Sequence, residues 1–354
     1  NARYGVVIYN GVQGTQVGGT GAGQGNVISG NVSSGVVIDG NGVSTTSGNV
    51  IQANYIGLNA AGTATLGNGT EGIHIFSGAE NNTIGGASAS ARNVISGNVD
   101  GINIEGASNN DVLGNYIGTD ATGMVDLGNS ADGIVLRNGS QSNTIGGTTA
   151  GHRNIISGND NDGIWITGAG TDNNTVQGNW IGLDAGGGAL GNSYHGIGVQ
   201  NGASDNLIGG DDVDERNTIA HNAWDGISTN NTSTGNSFLG NSVYSNGNLG
   251  IDIEAGTEDA NGVTSNDAND GDTGTNDLQN YPVITQADLG GADLTLSGTL
   301  DTDGVTTQYR IEFFGVTSGN EDPNNGEGRY YLGSTTVTTD GSGDAAFNNV
   351  VLSG

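Results

Sequence analysis

The chain contains no cysteine and no lysine, only two prolines and a single methionine. Without cysteine there is neither a disulfide framework nor thiol chemistry. Without lysine, seven arginines face 37 acidic side chains, and the formal net charge is −30. A surface of that sign repels phosphate backbones and anionic lipid heads, which excludes nucleic acid as a partner. It leaves two readings of the acidity open: it keeps a strand-rich surface from aggregating, or it draws divalent cations. No stretch approaches the ~18 apolar residues of a membrane-spanning helix, so no membrane span is expected. Aromatic residues make up only 5% and apolar residues 33%, too few for a wide core of Phe and Leu.

What the chain has instead is glycine, 69 residues of 354, with no every-third-residue rule that would make it collagen. The apolar residues are mostly Ile and Val in short runs, which suits a narrow core layered from strands. The sequence opens inside such a run, Tyr4-Gly5-Val6-Val7-Ile8, without a signal-peptide pattern. That is expected of a processed or excised piece of a longer secreted protein.

A repeat dominates residues 1 to 254. Gly followed by alternating aliphatics recurs at Gly5, Gly35, Gly72, Gly101, Gly133, Gly163, Gly196, Gly226 and Gly250, a step of about 31 residues. Between these stations two signatures alternate. One is an aliphatic-Gly-Gly turn followed by Asn-aliphatic-Ile-Ser-Gly-Asn, as in Ile84-Gly85-Gly86 with Asn93 to Asn98 and Ile145-Gly146-Gly147 with Asn154 to Asn159. The other is Asn54-Tyr55-Ile56-Gly57, Asn115-Tyr116-Ile117-Gly118 and Asn179-Trp180-Ile181-Gly182, each leading into a Gly-rich excursion. Strands this short cannot bury an apolar face alone, but stacked coils can. Equivalent side chains then form ladders at about 4.8 Å per coil, with Gly or Asn at the corners. The fold class predicted is all-β: a right-handed parallel β-helix of about nine coils, whose inward asparagines bond to backbone and to their own stack.

These motifs resemble the parallel β-helix repeat proteins of the pectate-lyase-like superfamily, and more closely the bacterial and archaeal surface or secreted repeat proteins with Asn-x-Ile-Gly-Gly and Arg-Asn-Val-Ile-Ser-Gly-Asn motifs. The resemblance covers about the first 250 residues. It implies the fold, and for function it implies a range, since the superfamily holds lyases, hydrolases, epimerases, phage tailspikes and plain stalks. Polygalacturonases of this fold use Gly-His-Gly and Arg-Ile-Lys motifs, and only Tyr194-His195-Gly196 is faintly similar here. Arg92, Arg153 and Arg216 stand at one repeat station, which favours a structural bridge over the single catalytic base of a lyase.

The repeat stops after Ile251-Asp252-Ile253. Residues 255–281 read as an acidic linker, and 282–354 as an immunoglobulin-like β-sandwich with strands at 283–289, 293–300, 308–316, 330–339 and 344–352. Five strands fall short of the usual seven, so the sandwich reads as incomplete.

Three sets of candidate site residues follow. Tyr55, Tyr116 and Trp180 should point outward on one sheet, about two coils or 10 Å apart, either as a ladder for an extracellular glycan or as a hydrophobic cluster roofed by the Gly-rich excursions. Asp267, Asn269, Asp270, Asp272 and Asp277 place oxygen ligands around a glycine, either as a calcium site or as a solvated linker. Tyr4, Val6, Val7 and Ile8 form an uncapped first strand suited to assembly with another subunit or neighbouring modules of a longer chain. Calcium is the one cofactor the sequence points to, and no catalytic residue stands out. The leading expectation is a non-catalytic extracellular or cell-surface structural protein, a rigid spacer that assembles into fibres through its termini and sandwich. The alternative is a carbohydrate-active protein, a glycan-binding module or polysaccharide lyase.

Overall fold

The computed structural model describes residues 3–42, 44–230, 232–254, 258–259, 262–271, 273–316 and 326–353. The Gly-aliphatic stations form a first parallel sheet of nine strands, from Val6–Tyr9 to Ile251–Ile253. A second sheet of eight strands runs from Gln16–Gly18 to Ser237–Leu239, and a third of eight from Val27–Ile28 to Ser242–Tyr244. The chain is a parallel β-helix followed by a small antiparallel module. Successive coils stack in register, for example Ile73 on Ile102, Ile102 on Ile134 and Ile134 on Ile164. Ile73, Ile75, Ile102, Ile104, Ile134, Ile164, Ile166 and Ile197 are all 0% exposed, which fixes the inward face that the alternation predicts.

The corners are held by three asparagine ladders. In each, the backbone N–H and the Nδ2 of one asparagine both donate to the Oδ1 of its counterpart one coil on. Asn115 does so to Asn154 at 2.9 and 3.1 Å, and its Nδ2 also reaches the Ile84 carbonyl at 2.9 Å. Asn26, Asn54, Asn93, Asn115, Asn154, Asn179, Asn217 and Asn241 form one such ladder without a gap. Beyond Asn26, which is exposed, each amide of this ladder is buried yet satisfied, which a lone buried asparagine rarely achieves. The glycine after the Asn-aromatic-Ile triplet is required twice over. Gly57, Gly118 and Gly182 have φ of +86°, +91° and +83°, and a Cβ there would collide with the carbonyl oxygens of Ser96, Ser157 and Ala220 in the next coil.

The module has a three-stranded sheet, Val283–Gly290, Asp293–Asp301 and Asp344–Ser353, facing the pair Gln308–Gly315 and Tyr330–Thr338. Between them lie Leu296, Leu300, Ile311, Phe313, Val337, Phe347 and Leu352. The two-stranded sheet does not reach Val283–Gly290, which is exposed on both faces. No helix among the described residues is long and apolar enough to cross a membrane.

The C-terminal end of the β-helix is covered by the linker and module. Val243 and Gly328 exchange two backbone hydrogen bonds, at 3.0 and 2.9 Å. Glu327 Oε1 accepts the Asn246 N–H at 2.7 Å and its Nδ2 at 3.0 Å, standing where the next asparagine of that ladder would be. Asn276 closes a second ladder by accepting the Asn236 N–H at 3.0 Å, and Glu312 accepts the Gly240 N–H at 2.8 Å. The last coil's donors need partners, and the linker and module supply them. At the other end, Val6–Tyr9 pairs in parallel with Val36–Asp39, and Ile8 is 4% exposed in the core. Donation of that strand to another molecule therefore requires the first coil to open. Its outer edge remains uncovered among the described residues, beside an end opening of about 760 Å³ lined by Gly5, Gln16, Gln24, Asn26, Val27 and Asn31.

Candidate functional site

Each of the three predicted sets occupies a separate place. Tyr55, Tyr116 and Trp180 do share the outer face of the third sheet, alternating with Val94 and Ile155. With Leu58, Ala121, Leu127 and Ala185 from the Gly-rich excursions they form a satellite hydrophobic cluster. Arg92 lies 3.9 Å from the Tyr116 ring centroid and Arg153 4.4 Å from that of Trp180. Their Nε–H groups donate to the carbonyls of Gly114 and Gly178, so these arginines do bridge coils. Tyr116 is only 9% exposed, which leaves little ring face for a sugar.

In the linker, Asp267 accepts the Gly271 N–H and Asp270 accepts the Asn280 N–H at 2.9 Å. The Asn269 N–H turns to Asp301, and Asp277 is exposed. Asp272 lies outside the described residues. Asp267 thus caps a turn while Asp270 and Asn269 tie the linker to Asn280 and Asp301, and among the described residues no three His, Asp or Glu side chains cluster closely enough to hold a metal ion. Tyr4, Val6, Val7 and Ile8 belong to the first coil as set out above, with Arg3 over the Tyr4 ring at 4.9 Å.

The most unusual chemistry lies elsewhere, along the residue preceding each repeat glycine of the first sheet. Asp100, Asp132, Asp162, His195 and Asp225 stack there in consecutive coils. Asp100 Oδ1 accepts the Asp132 N–H at 3.3 Å, and Asp132 Oδ1 accepts the Asp162 N–H at 3.0 Å and Asn161 Nδ2 at 2.7 Å. Asp162 Oδ1 accepts the His195 N–H at 3.0 Å, and Asp225 Oδ1 accepts the Leu249 N–H at 2.9 Å. Each carboxylate thus replaces a ladder asparagine, using one oxygen on the next coil's backbone.

The cost is electrostatic. Asp132 is 5% and Asp162 3% exposed, and counterparts in adjacent coils are about 4.8 Å apart. Burial, then the charges of Asp162 and Asp100, push the Asp132 carboxyl up to about 7. Burial pushes Asp162 up to about 6, held back by His195. Asp252, on the last strand of the sheet, is pushed up to about 7 by burial and by Asp225, Glu258 and Glu254. Buried carboxyls with raised pKa mark functional sites often enough to single out this face.

His195 interrupts the row. Its Nδ1 lies 3.0 Å from Asp225 Oδ2, with both side chains nine-tenths buried. The Asp225 backbone N–H also points at Nδ1, at 3.3 Å. Around it, Tyr194 packs at 4.2 Å from the imidazole and 4.6 Å from Trp224. Trp165, on the same face, donates its Nε1–H to Gln200 at 3.2 Å. Burial, then Asp162, Glu254 and Asp225, raise the Tyr194 pKa, which places its hydroxyl among these acids. Sequence reasoning passed over this row because Asp before Gly reads as ordinary turn chemistry. The signal was its recurrence at Asp100, Asp132, Asp162 and Asp225. No protein-family model matches the chain, and no curated protein matches it.

Proposed function

We propose that the chain is a rigid, non-catalytic spacer of an extracellular or cell-surface polypeptide. The observation that carries this reading is the continuity of the asparagine ladders, which run the length of the β-helix and two of which end on side chains of the linker and module. Solenoid and module are thereby joined by main-chain and side-chain hydrogen bonds in place of a free tether. Nine coils at about 4.8 Å give a rod near 40 Å before the module is added. The acidic, lysine-free surface suits a spacer that stays hydrated and self-repelling in salt.

Assembly into fibres is the finer part of this proposal. At the N-terminal end, Asn26 and Asn31 are the first members of their ladders, and their Oδ1 atoms face the side from which a preceding coil would donate. A further coil of the same repeat, from the same polypeptide or a second molecule, matches that chemistry.

Because the chain has no cysteine, spin labels can be placed on Val32→Cys and Leu289→Cys, at residues 70% and 77% exposed. Electron–electron distance measurements should give one narrow distribution. A broad one would show a hinged module and sink the rigid-spacer reading, and release of reducing ends from pectin, alginate or hyaluronan would sink its non-catalytic part.

A further inference from the structure

Arginine and aromatic side chains pair along the third sheet by a rule that one coil breaks. Arg92, Arg153 and Arg216 each stand seven residues after the same turn glycine, Gly85, Gly146 and Gly209, and directly before a ladder asparagine. Each guanidinium lies on a ring. Arg92 reaches Tyr116 in the next coil at 3.9 Å, and Arg153 reaches Trp180 at 4.4 Å. Where the next coil carries Ser242 in place of an aromatic, the module brings Tyr331 to Arg216, again at 3.9 Å. The first coil keeps the same spacing from Gly18 to Asn26 but has Gly25 at the arginine's place. Tyr55, at the station of Tyr116 and Trp180 in the second coil, has no cation over its ring among the described residues. A cavity of about 370 Å³ opens there instead, lined by Gly23, Gly25, Val27, Tyr55, Ala60 and Val94.

We propose that this cavity receives an arginine side chain from a partner polypeptide, which goes beyond the spacer reading. The repeat itself identifies the occupant, because at the three equivalent stations the fold places a guanidinium. The chain cannot fill the first place on its own: a Cβ on Gly25 would collide with the Ala53 carbonyl oxygen. Gly25 is exposed, so the place is open to a side chain from outside, and the Tyr55 ring is half-buried. The carbonyls of Gly114 and Gly178 accept the Nε–H of Arg92 and Arg153; their counterpart on Ala53 accepts no hydrogen bond among the described residues. Arg92 borders the far side of the cavity, with its guanidinium committed to Tyr116 and Gly114. Arg92, Arg153 and Arg216 already recur every second coil, ~10 Å apart, so a further guanidinium at that spacing extends a row the fold tolerates. The net charge of −30 favours a cation and steers basic partners toward the chain. Guanidinium stacks on a ring while donating in its own plane, which a compact, strongly hydrated ammonium does less well.

The test is heteronuclear NMR of the isotope-labelled chain at physiological ionic strength, titrated with acetyl-Gly-Arg-Gly-amide, its lysine and citrulline counterparts, and free arginine. The arginine peptide should shift the amide signals of Gly23, Gly25 and Ala60 saturably, the lysine peptide should bind more weakly, and the citrulline peptide should not bind. Tyr55→Leu should weaken binding about fivefold, the size of a partly exposed cation–π contact, and Tyr55→Phe should bind as wild type does. Both variants keep the net charge, and the side chain faces outward, away from the stacked isoleucines. Absence of saturable shifts at the cavity would overturn the proposal. Equal binding by wild type and Tyr55→Leu, or shifts spread over the whole acidic surface, would reduce the effect to general charge and overturn it too, as would binding of the citrulline peptide. Free arginine binding as tightly as the peptide would overturn the assignment to a polypeptide.

Discussion

Asp132→Asn should stabilise this protein at alkaline pH and do almost nothing in acid. In the folded chain the Asp132 carboxyl titrates at about 7 instead of its usual 3.8, first through burial and then through the neighbouring Asp162 and Asp100. Below pH 3.8 the group is protonated in both folded and unfolded chains and contributes no pH dependence. Between 3.8 and 7 the folded state holds a proton that the unfolded state has lost, so stability falls as pH rises; above 7 the penalty is complete. At ~1.4 kcal/mol per pH unit that window amounts to roughly 4 kcal/mol, an upper bound because Asp162 titrates with it. Asparagine keeps the oxygen that accepts the Asp162 N–H and Asn161 Nδ2, and it is the residue the neighbouring ladders use. Urea unfolding at pH 8 should show a gain of about 1–4 kcal/mol and at pH 4 a change within ~0.5 kcal/mol. Equal effects at the two pH values, or a loss at pH 8, would refute the claim that the aspartate row is electrostatically strained.

Ile104→Ala should cost about 2–5 kcal/mol in the same assay, because its neighbours in the stack are themselves fully buried and collapse poorly; an Ile104→Asp chain that melted like wild type would contradict the register. Gly118→Ala, which combines a φ of +91° with a collision on the Ser157 carbonyl, should prevent folding or lower the melting temperature sharply, and a neutral effect would mean the corner is looser than described. Glu327→Ala removes the group that closes the Asn246 end of a ladder; limited proteolysis should then cut between β-helix and module faster, and an unchanged cleavage rate would deny Glu327 that role.

How much of this was legible in the sequence depended on whether a residue's role repeats. The inward isoleucines, the corner glycines and the ladder asparagines each recur at a fixed station, so their period names the fold and their alternation names the buried face. The strands of the module were also readable, with ends within about one residue, because turn residues punctuate them. The aromatic triplet was placed correctly on one outer face, but sequence alone could not choose between a free ring and a roofed one. That depended on Arg92 and Arg153, which reach it from the adjacent coil. Features that occur once were the hard ones. Glu327 is an ordinary acidic residue in a Gly- and Asn-rich stretch, and its place at the end of a ladder appears only when a strand 81 residues earlier is laid beside it.

His195 and Asp225 show the same limit from the opposite side. They are 30 residues apart, one coil in sequence, and meet because a solenoid converts that distance into a single step of about 4.8 Å. Where consecutive coils carry Asp at the station before the glycine, the step brings like charges together, and the chain carries the resulting strain through Asp100, Asp132 and Asp162. Asparagine would satisfy the same backbone donors without charge, as it does at every other corner. The aspartates at this station therefore carry an electrostatic cost that asparagine would avoid.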